Sequence, residues 1–315
     1  MRKLLLSVVL ISQVGIAQNL KVGELSNVVR LTQDDIKYEN PQWSPDGSKI
    51  AFTEYGYNNL YVINSNGSNK QQLSNGKGVG FRYEWCADSR RILVRELKHE
   101  RVGLKNQRKQ AAWSIELNGK KTRMTEDVAR MDNASWQYDA QGVATVRSLD
   151  AKVLPGAKCK MIKSAAVTKC LAKANVSVIV NVEGLSVVDG NGIKKVINAK
   201  PSFCPALSPD GKKIAFVEGN DIYTINIDGS SKKKITRGFN PAWVNNSQIV
   251  FENSVDDGHT FTASELYIIN ASGSGLKALT KTNNRIEMCP SVSPDGKYLV
   301  FTSFDDGQVY KAELK

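Results

Sequence analysis

The chain has 315 residues, of which 41% are hydrophobic and 23% charged, and its formal net charge is +12. That balance suits a folded globular domain and excludes a disordered or collagen-like chain. No segment after residue 17 is apolar for long enough to span a bilayer as a helix, so the mature chain is expected to carry no transmembrane segment.

The N-terminus has its own logic. Arg2 and Lys3 form a short positive region, Leu4 to Ile11 is almost unbroken apolar sequence, and Gly15-Ile16-Ala17 offers small residues for cleavage before Gln18. This is the layout of a secretory signal peptide over residues 1–17, with the mature domain at 18–315 and a periplasmic or secreted location. No Cys follows the apolar run, so a lipid anchor is not expected. Five cysteines remain: Cys86, Cys159, Cys170, Cys204 and Cys289. An odd number leaves at least one without an intrachain partner. Cys159 and Cys170 could form a disulfide; mostly buried thiols are the alternative reading.

Beyond the leader the chain repeats itself. Val28-Val29-Arg30-Leu31-Thr32 resembles a short closing strand. Trp43-Ser44-Pro45-Asp46-Gly47, Leu207-Ser208-Pro209-Asp210-Gly211 and Val292-Ser293-Pro294-Asp295-Gly296 each lead into a β-rich run. Ser-Pro-Asp-Gly supplies what a type I turn needs, so each copy predicts a hairpin. Weaker copies start at Trp85, Trp136, Ala172 and Trp243. Across the copies one column holds only Asp or Asn: Asp46, Asp88, Asp139, Asn175, Asp210, Asn246 and Asp295. A second hairpin follows in most units, as at Asn66-Gly67, Asn118-Gly119 and Asp228-Gly229. Four antiparallel strands recurring at about 35 to 50 residues describe an all-β fold, a β-propeller. Seven blades are expected, with six the alternative. The last unit lacks a fourth strand, which the N-terminal strand would supply, closing the ring and removing an open edge.

Trp-Ser-Pro-Asp-Gly-x-x-Ile-Ala-Phe at 43–52, followed by Leu-Tyr-Val-Ile-Asn-x-x-Gly at 60–67, resembles the WD40-like repeat of the TolB family. The resemblance covers the mature chain and implies the fold rather than the function. It differs from TolB in leaving too few residues before the closing strand for the α/β domain that precedes the TolB propeller. TolB propellers also have six blades, where seven are counted here.

Propeller geometry places the Ser-Pro-Asp-Gly and Asn-Gly turns on one face and the remaining links on the other. That second face carries the long insertions, Lys98 to Gln110 and Ser254 to Ser264, expected as irregular loops. The start of each innermost strand lines the channel mouth there. Asn40, Arg82, Asn133, Lys169 and Asn240 are the candidate ligand residues, with Cys204 and Cys289 in the same column. Amides and cations around one opening suit an anionic or glycan-like ligand, although the same groups could simply bond neighbouring backbone. His99, Asp256, Asp257, His259, Asp305 and Asp306 are loop-face candidates; a divalent ion is conceivable there, but Asp-Gly sequences are more often turns, so neither a metal nor another cofactor is expected.

No G-x-S-x-G elbow is present. The expected function is therefore a protein- or glycan-binding scaffold of the cell envelope, with an envelope protein or acidic glycan as partner and no catalytic residue assigned. The alternative is a metal-assisted lyase of the oligogalacturonide type. Lysines cluster where fourth strands begin, at Lys70, Lys120-Lys121, Lys194-Lys195, Lys232 to Lys234 and Lys277, which suits an edge defended against aggregation. Nucleic acid is not an expected partner of an exported protein without a base-stacking motif.

Overall fold

The computed structural model describes residues 25–102, 104–131, 134–139, 143–148, 150–161, 176–181, 184–188, 194–282 and 285–315. The expected signal peptide, Asn133, Lys169, Cys170, Ala172 and Asn175 lie outside the described residues.

Among the described residues, 26 strands form seven antiparallel sheets, each pairing in chain order. β1 (Leu25–Arg30) stands apart. Blade one is β2 (Tyr38–Trp43), β3 (Lys49–Glu54), β4 (Asn58–Asn64) and β5 (Gln71–Ser74). Blade two is β6 (Glu84–Trp85), β7 (Arg91–Val102), β8 (Lys105–Glu116) and β9 (Lys121–Arg123). Three described strands follow, β10 (Ala134–Tyr138), β11 (Val143–Ser148) and β12 (Lys158–Lys160), then three more, β13 (Ser177–Asn181), β14 (Gly184–Val188) and β15 (Lys194–Asn198). The next sheet is β16 (Phe203–Leu207), β17 (Lys213–Glu218), β18 (Asp221–Asn226) and β19 (Lys233–Arg237). After it come β20 (Phe239–Trp243), β21 (Gln248–Asp256), β22 (Phe261–Asn270) and β23 (Lys277–Ala278). The last sheet is β24 (Glu287–Val292), β25 (Tyr298–Ser303) and β26 (Val309–Leu314), and β1 completes it. Leu25 lies opposite Leu314 and Arg30 opposite Tyr310, so the two ends of the domain close the ring as the repeat phase predicts.

The repeated residues explain the repeated shape. In each Ser-Pro-Asp-Gly turn the Ser hydroxyl donates to the Asp carboxylate at 2.6 Å and accepts the amide five residues on at 2.9 Å. Gly47, with φ 73°, ends the first turn in the left-handed region where a side chain would be strained. Phe52, Phe216, Phe251 and Phe301 are fully buried on second strands and stack on Tyr61, Tyr223, Tyr267 and Tyr310, their cross-strand partners, at 5.7–5.9 Å.

Tryptophan joins blade to blade. The indole N–H groups of Trp43, Trp85, Trp136 and Trp243 donate to Ser291, Gln42, Glu84 and Ala206, each a carbonyl on the innermost strand of the preceding sheet. The apolar core accordingly lies between neighbouring sheets: one buried cluster joins Leu60 and Val62 to Ile92 and Val94, another joins Tyr38 and Trp43 to Val300 and Val309.

One expectation fails. The insertions at 98–110 and 254–264 are not irregular loops but continued hairpins, paired out to Val102–Lys105 and Asp256–Phe261. Apart from the tips they contain neither Gly nor Pro, so nothing in the backbone stops the ladder. Away from their tips and their buried bases, their polarity goes with exposure to solvent.

Candidate functional site

The channel mouth is built on a recurring backbone kink. Asn40, Arg82, Cys204, Asn240 and Cys289 all have positive φ, between 47° and 61°. In four sheets a β-bulge sits there, between Glu39 and Gln42, Phe203 and Ala206, Phe239 and Ala242, and Met288 and Ser291. Pro41, Pro205, Pro241 and Pro290 follow the kinked residue in those four. A residue before proline avoids the right-handed helical region, and Asn tolerates the left-handed one, so the sequence favours the kink.

The kinked residues tie the ring together. The Asn40 side-chain amide donates to the Gly80 carbonyl at 3.1 Å, and that of Asn240 to Glu252 Oε1 at 3.0 Å. The Cys289 backbone N–H donates to Glu252 Oε2 at 2.5 Å, joining two sheets through one buried carboxyl. Burial pushes Glu252 up to about 7 even though both donors favour its charged form. Cys204 is exposed, yet desolvation by the protein crowded around it pushes its thiol up to about 11, and burial pushes that of Cys289 well above its ordinary range, so both are thiols at neutral pH.

Arg82 is exposed at the mouth and reaches sideways, its Nη1 donating to the Val180 carbonyl at 3.3 Å. Its guanidinium also lies 5.9 Å from the Phe81 ring, and that of Arg95 lies 4.3 Å from the same ring. Tyr57 meets Phe81 edge to face at 5.6 Å, and the two rings are 43% and 39% exposed. Phe203 is exposed as well. A second aromatic group, Tyr55, Phe304 and Phe261, runs across the hairpin tips of three sheets at centroid distances of 6.2 and 5.5 Å, with Lys37 above Phe304. These aromatics escape a reading by residue class, which looks for amides, cations and imidazoles. The signal available was Tyr55-Gly56-Tyr57 and Phe304 at positions facing away from the core of their hairpins.

The other candidates are placed apart. Asp257 accepts the His259 and Thr260 amides at 2.9 Å, and Asp256 that of Gly258 at 3.0 Å, which is turn chemistry. Asp305 accepts the Ile286 amide and Asp306 the Gln308 amide and the Tyr310 hydroxyl. His99 lies on β7 opposite Arg108. Among the described residues no group of three or more His, Cys, Asp or Glu could hold a metal ion. Cys86, Cys159, Cys204 and Cys289 are free. Several of the rim lysines have internal partners: Lys232 pairs with Glu218 at 2.5 Å, Lys234 with Asp221 at 2.6 Å and Lys121 with Glu96 at 2.7 Å.

Sheets pairing in chain order, tied by indole bonds and closed by the N-terminal strand, define a β-propeller. Within that class the chain is TolB-like: over 123 residues it is 28% identical to a TolB homologue of Chlorobium chlorochromatii. That match covers 36% of this chain and only 27% of the relative. No protein-family model matches. Among solved structures, a TolB candidate from Agrobacterium tumefaciens superposes with a TM-score of 0.51 at 16% identity, covering 93% of this chain and 99% of that one. An oligogalacturonate lyase in complex with manganese reaches 0.50 at 14% identity, covering 94% of each. One fold thus serves a TolB candidate and a lyase, and the fold alone does not choose between them.

Proposed function

We propose that this TolB-like propeller is an exported binding or scaffold protein of the cell envelope. It grips a carboxylate-bearing chain, a protein segment or an acidic glycan, at the loop-face mouth of its channel. The observation that carries this reading is the exposed group of Tyr57, Phe81 and Arg82 at that mouth. A planar guanidinium can grip a carboxylate at two points, and an aromatic edge beside it offers a face to a sugar ring or an apolar side chain. Asn40 and Asn240 hold the frame through their inter-strand bonds, while Asn133 and Lys169 extend the same column in the sequence. A lyase would need His99, His259 and Asp257 together; the turn bonds of Asp257 favour the binding reading.

Titration with acidic oligosaccharides and with acidic peptides tests it. Arg82→Ala and Phe81→Ala should each weaken binding by about tenfold or more, with an unchanged melt. Undiminished affinity in both would remove the site from the channel mouth. Release of an ultraviolet-absorbing unsaturated product with manganese, lost in His259→Ala, would replace binding by lyase chemistry.

Export rests on the sequence of residues 1–17. Terminal sequencing of the protein from its native host should begin at or next to Gln18. Intact Met1 on cytosolic protein would end the envelope assignment.

A further inference from the structure

The channel-mouth reading leaves the long hairpin of blade two unused. Its base is clamped on both edges: Leu97 N–H donates to Lys77 O at 2.9 Å, and Gln110 and Val128 exchange bonds at 2.7 and 2.9 Å. Beyond that clamp residues 98–101 and 105–108 are exposed. Four residues per strand carry the arm about 13 Å past the body of the domain.

Its charge is one-sided. Lys98, Arg101, Lys105, Arg108 and Lys109 face a single acid, Glu100, which pairs with Lys109. Lys98 lies directly opposite Lys109, and His99 opposite Arg108. Glu100 offsets only one of these cations, so the arm keeps a net positive charge that an anionic partner would complement. At the apex Leu104 is 95% exposed, with Lys105 next in sequence. A lone exposed leucine means little on a protein surface. An apolar apex behind which cations are gathered is what an interface of apolar chains and anionic headgroups takes up.

We propose that this arm docks the propeller onto an anionic lipid surface. Leu104 enters the headgroup layer, and Lys98, Arg101, Lys105 and Arg108 lie against the phosphates. A soluble polyanion would satisfy the cations but would give Leu104 no role, so lipid is the partner that accounts for both features. The docking uses residues separate from Tyr57, Phe81 and Arg82, although the arm projects from the same face of the ring as the channel mouth.

Flotation of the full-length mature chain with vesicles tests this. Vesicles containing about a third phosphatidylglycerol should retain at least about tenfold more protein than pure phosphatidylcholine, and high salt should abolish the difference. The triple reversal Lys98→Glu, Arg101→Glu, Arg108→Glu should remove retention, and Leu104→Asp should reduce it severalfold. These residues lie outside the core, so melts should match the parent. Should one not, Leu104→Trp gives a second readout: its fluorescence should shift to the blue with anionic vesicles and stay unchanged with neutral ones. Equal retention on both vesicle types, or no shift, would overturn the proposal. So would parental retention in the triple variant, or competition by a soluble acidic polysaccharide together with no effect of Leu104→Asp.

Discussion

A chain lacking residues 25–32 should fail to give a cooperative melt, or should aggregate where the parent does not. The strand it loses is the fourth of the last sheet. Without it β26 exposes a row of unpaired amides and carbonyls from Val309 to Leu314. Leu25 and Leu31 are both buried, and Thr32, almost fully buried, accepts the Val309 N–H at 3.0 Å. Truncating one buried leucine costs about 2–5 kcal/mol, and a whole domain is stable by only about 5–15 kcal/mol. Losing two leucines and a strand ladder together therefore approaches the whole. Leu25→Ala and Leu31→Ala separately should each lower the unfolding free energy by about 2–4 kcal/mol. A peptide covering residues 18–35, added in trans, should restore part of the deleted chain's stability. A deletion protein that melts within a few degrees of the parent would mean that the ring does not need this strand.

The second large effect is a fall in stability as pH rises through neutrality. Burial pushes Glu252 and Glu84 up to about 7, and burial together with the neighbouring Glu265 pushes Glu287 up to about 8. In the unfolded chain these carboxyls release their protons near 4.5. Between that value and 7–8 the native state holds more protons than the unfolded one, so stability declines with increasing pH across that window and levels off above it. For Glu252, which is almost fully buried, the loss is on the order of 3 kcal/mol. Glu252→Gln should flatten the decline: its carbonyl can accept the Cys289 N–H, and the Asn240 amide can rotate to accept from the new NH2. Melting curves from pH 5 to pH 9 decide it. A parent whose stability rises across that range, or a Glu252→Gln protein that follows the parent, would show that the carboxyl is ionised at no cost.

The rim lysines illustrate where residue class and location diverge. Their positions at the start of fourth strands were readable from the repeat phase, and β5, β9, β15, β19 and β23 begin at or next to them. Their contacts were not. Lys232 pairs with Glu218 and lies over the Tyr223 ring at 4.7 Å, so it fastens its own blade as well as defending an edge.

Sequence by itself determined the blade and its closure. Turn chemistry at Ser-Pro-Asp-Gly and the short apolar run of Ile50-Ala51-Phe52 are local, and a tandem repeat lets local rules add up to a fold. The repeat phase also located the kinked column of Asn40, Arg82, Cys204, Asn240 and Cys289, because each occupies the same place in its unit. Tertiary structure alone decided what that column does. Whether Asn240 faces a ligand or binds Glu252, and whether Tyr57 meets Phe81, depends on contacts between units whose mutual placement no local rule contains. The same holds for the arm. The composition of residues 98–109 suits an irregular loop as well as a hairpin exposed on both sides, since both are polar. Only the pairing of Lys98 with Lys109 and His99 with Arg108 shows that the segment is a hairpin, with its basic residues carried on one projecting arm.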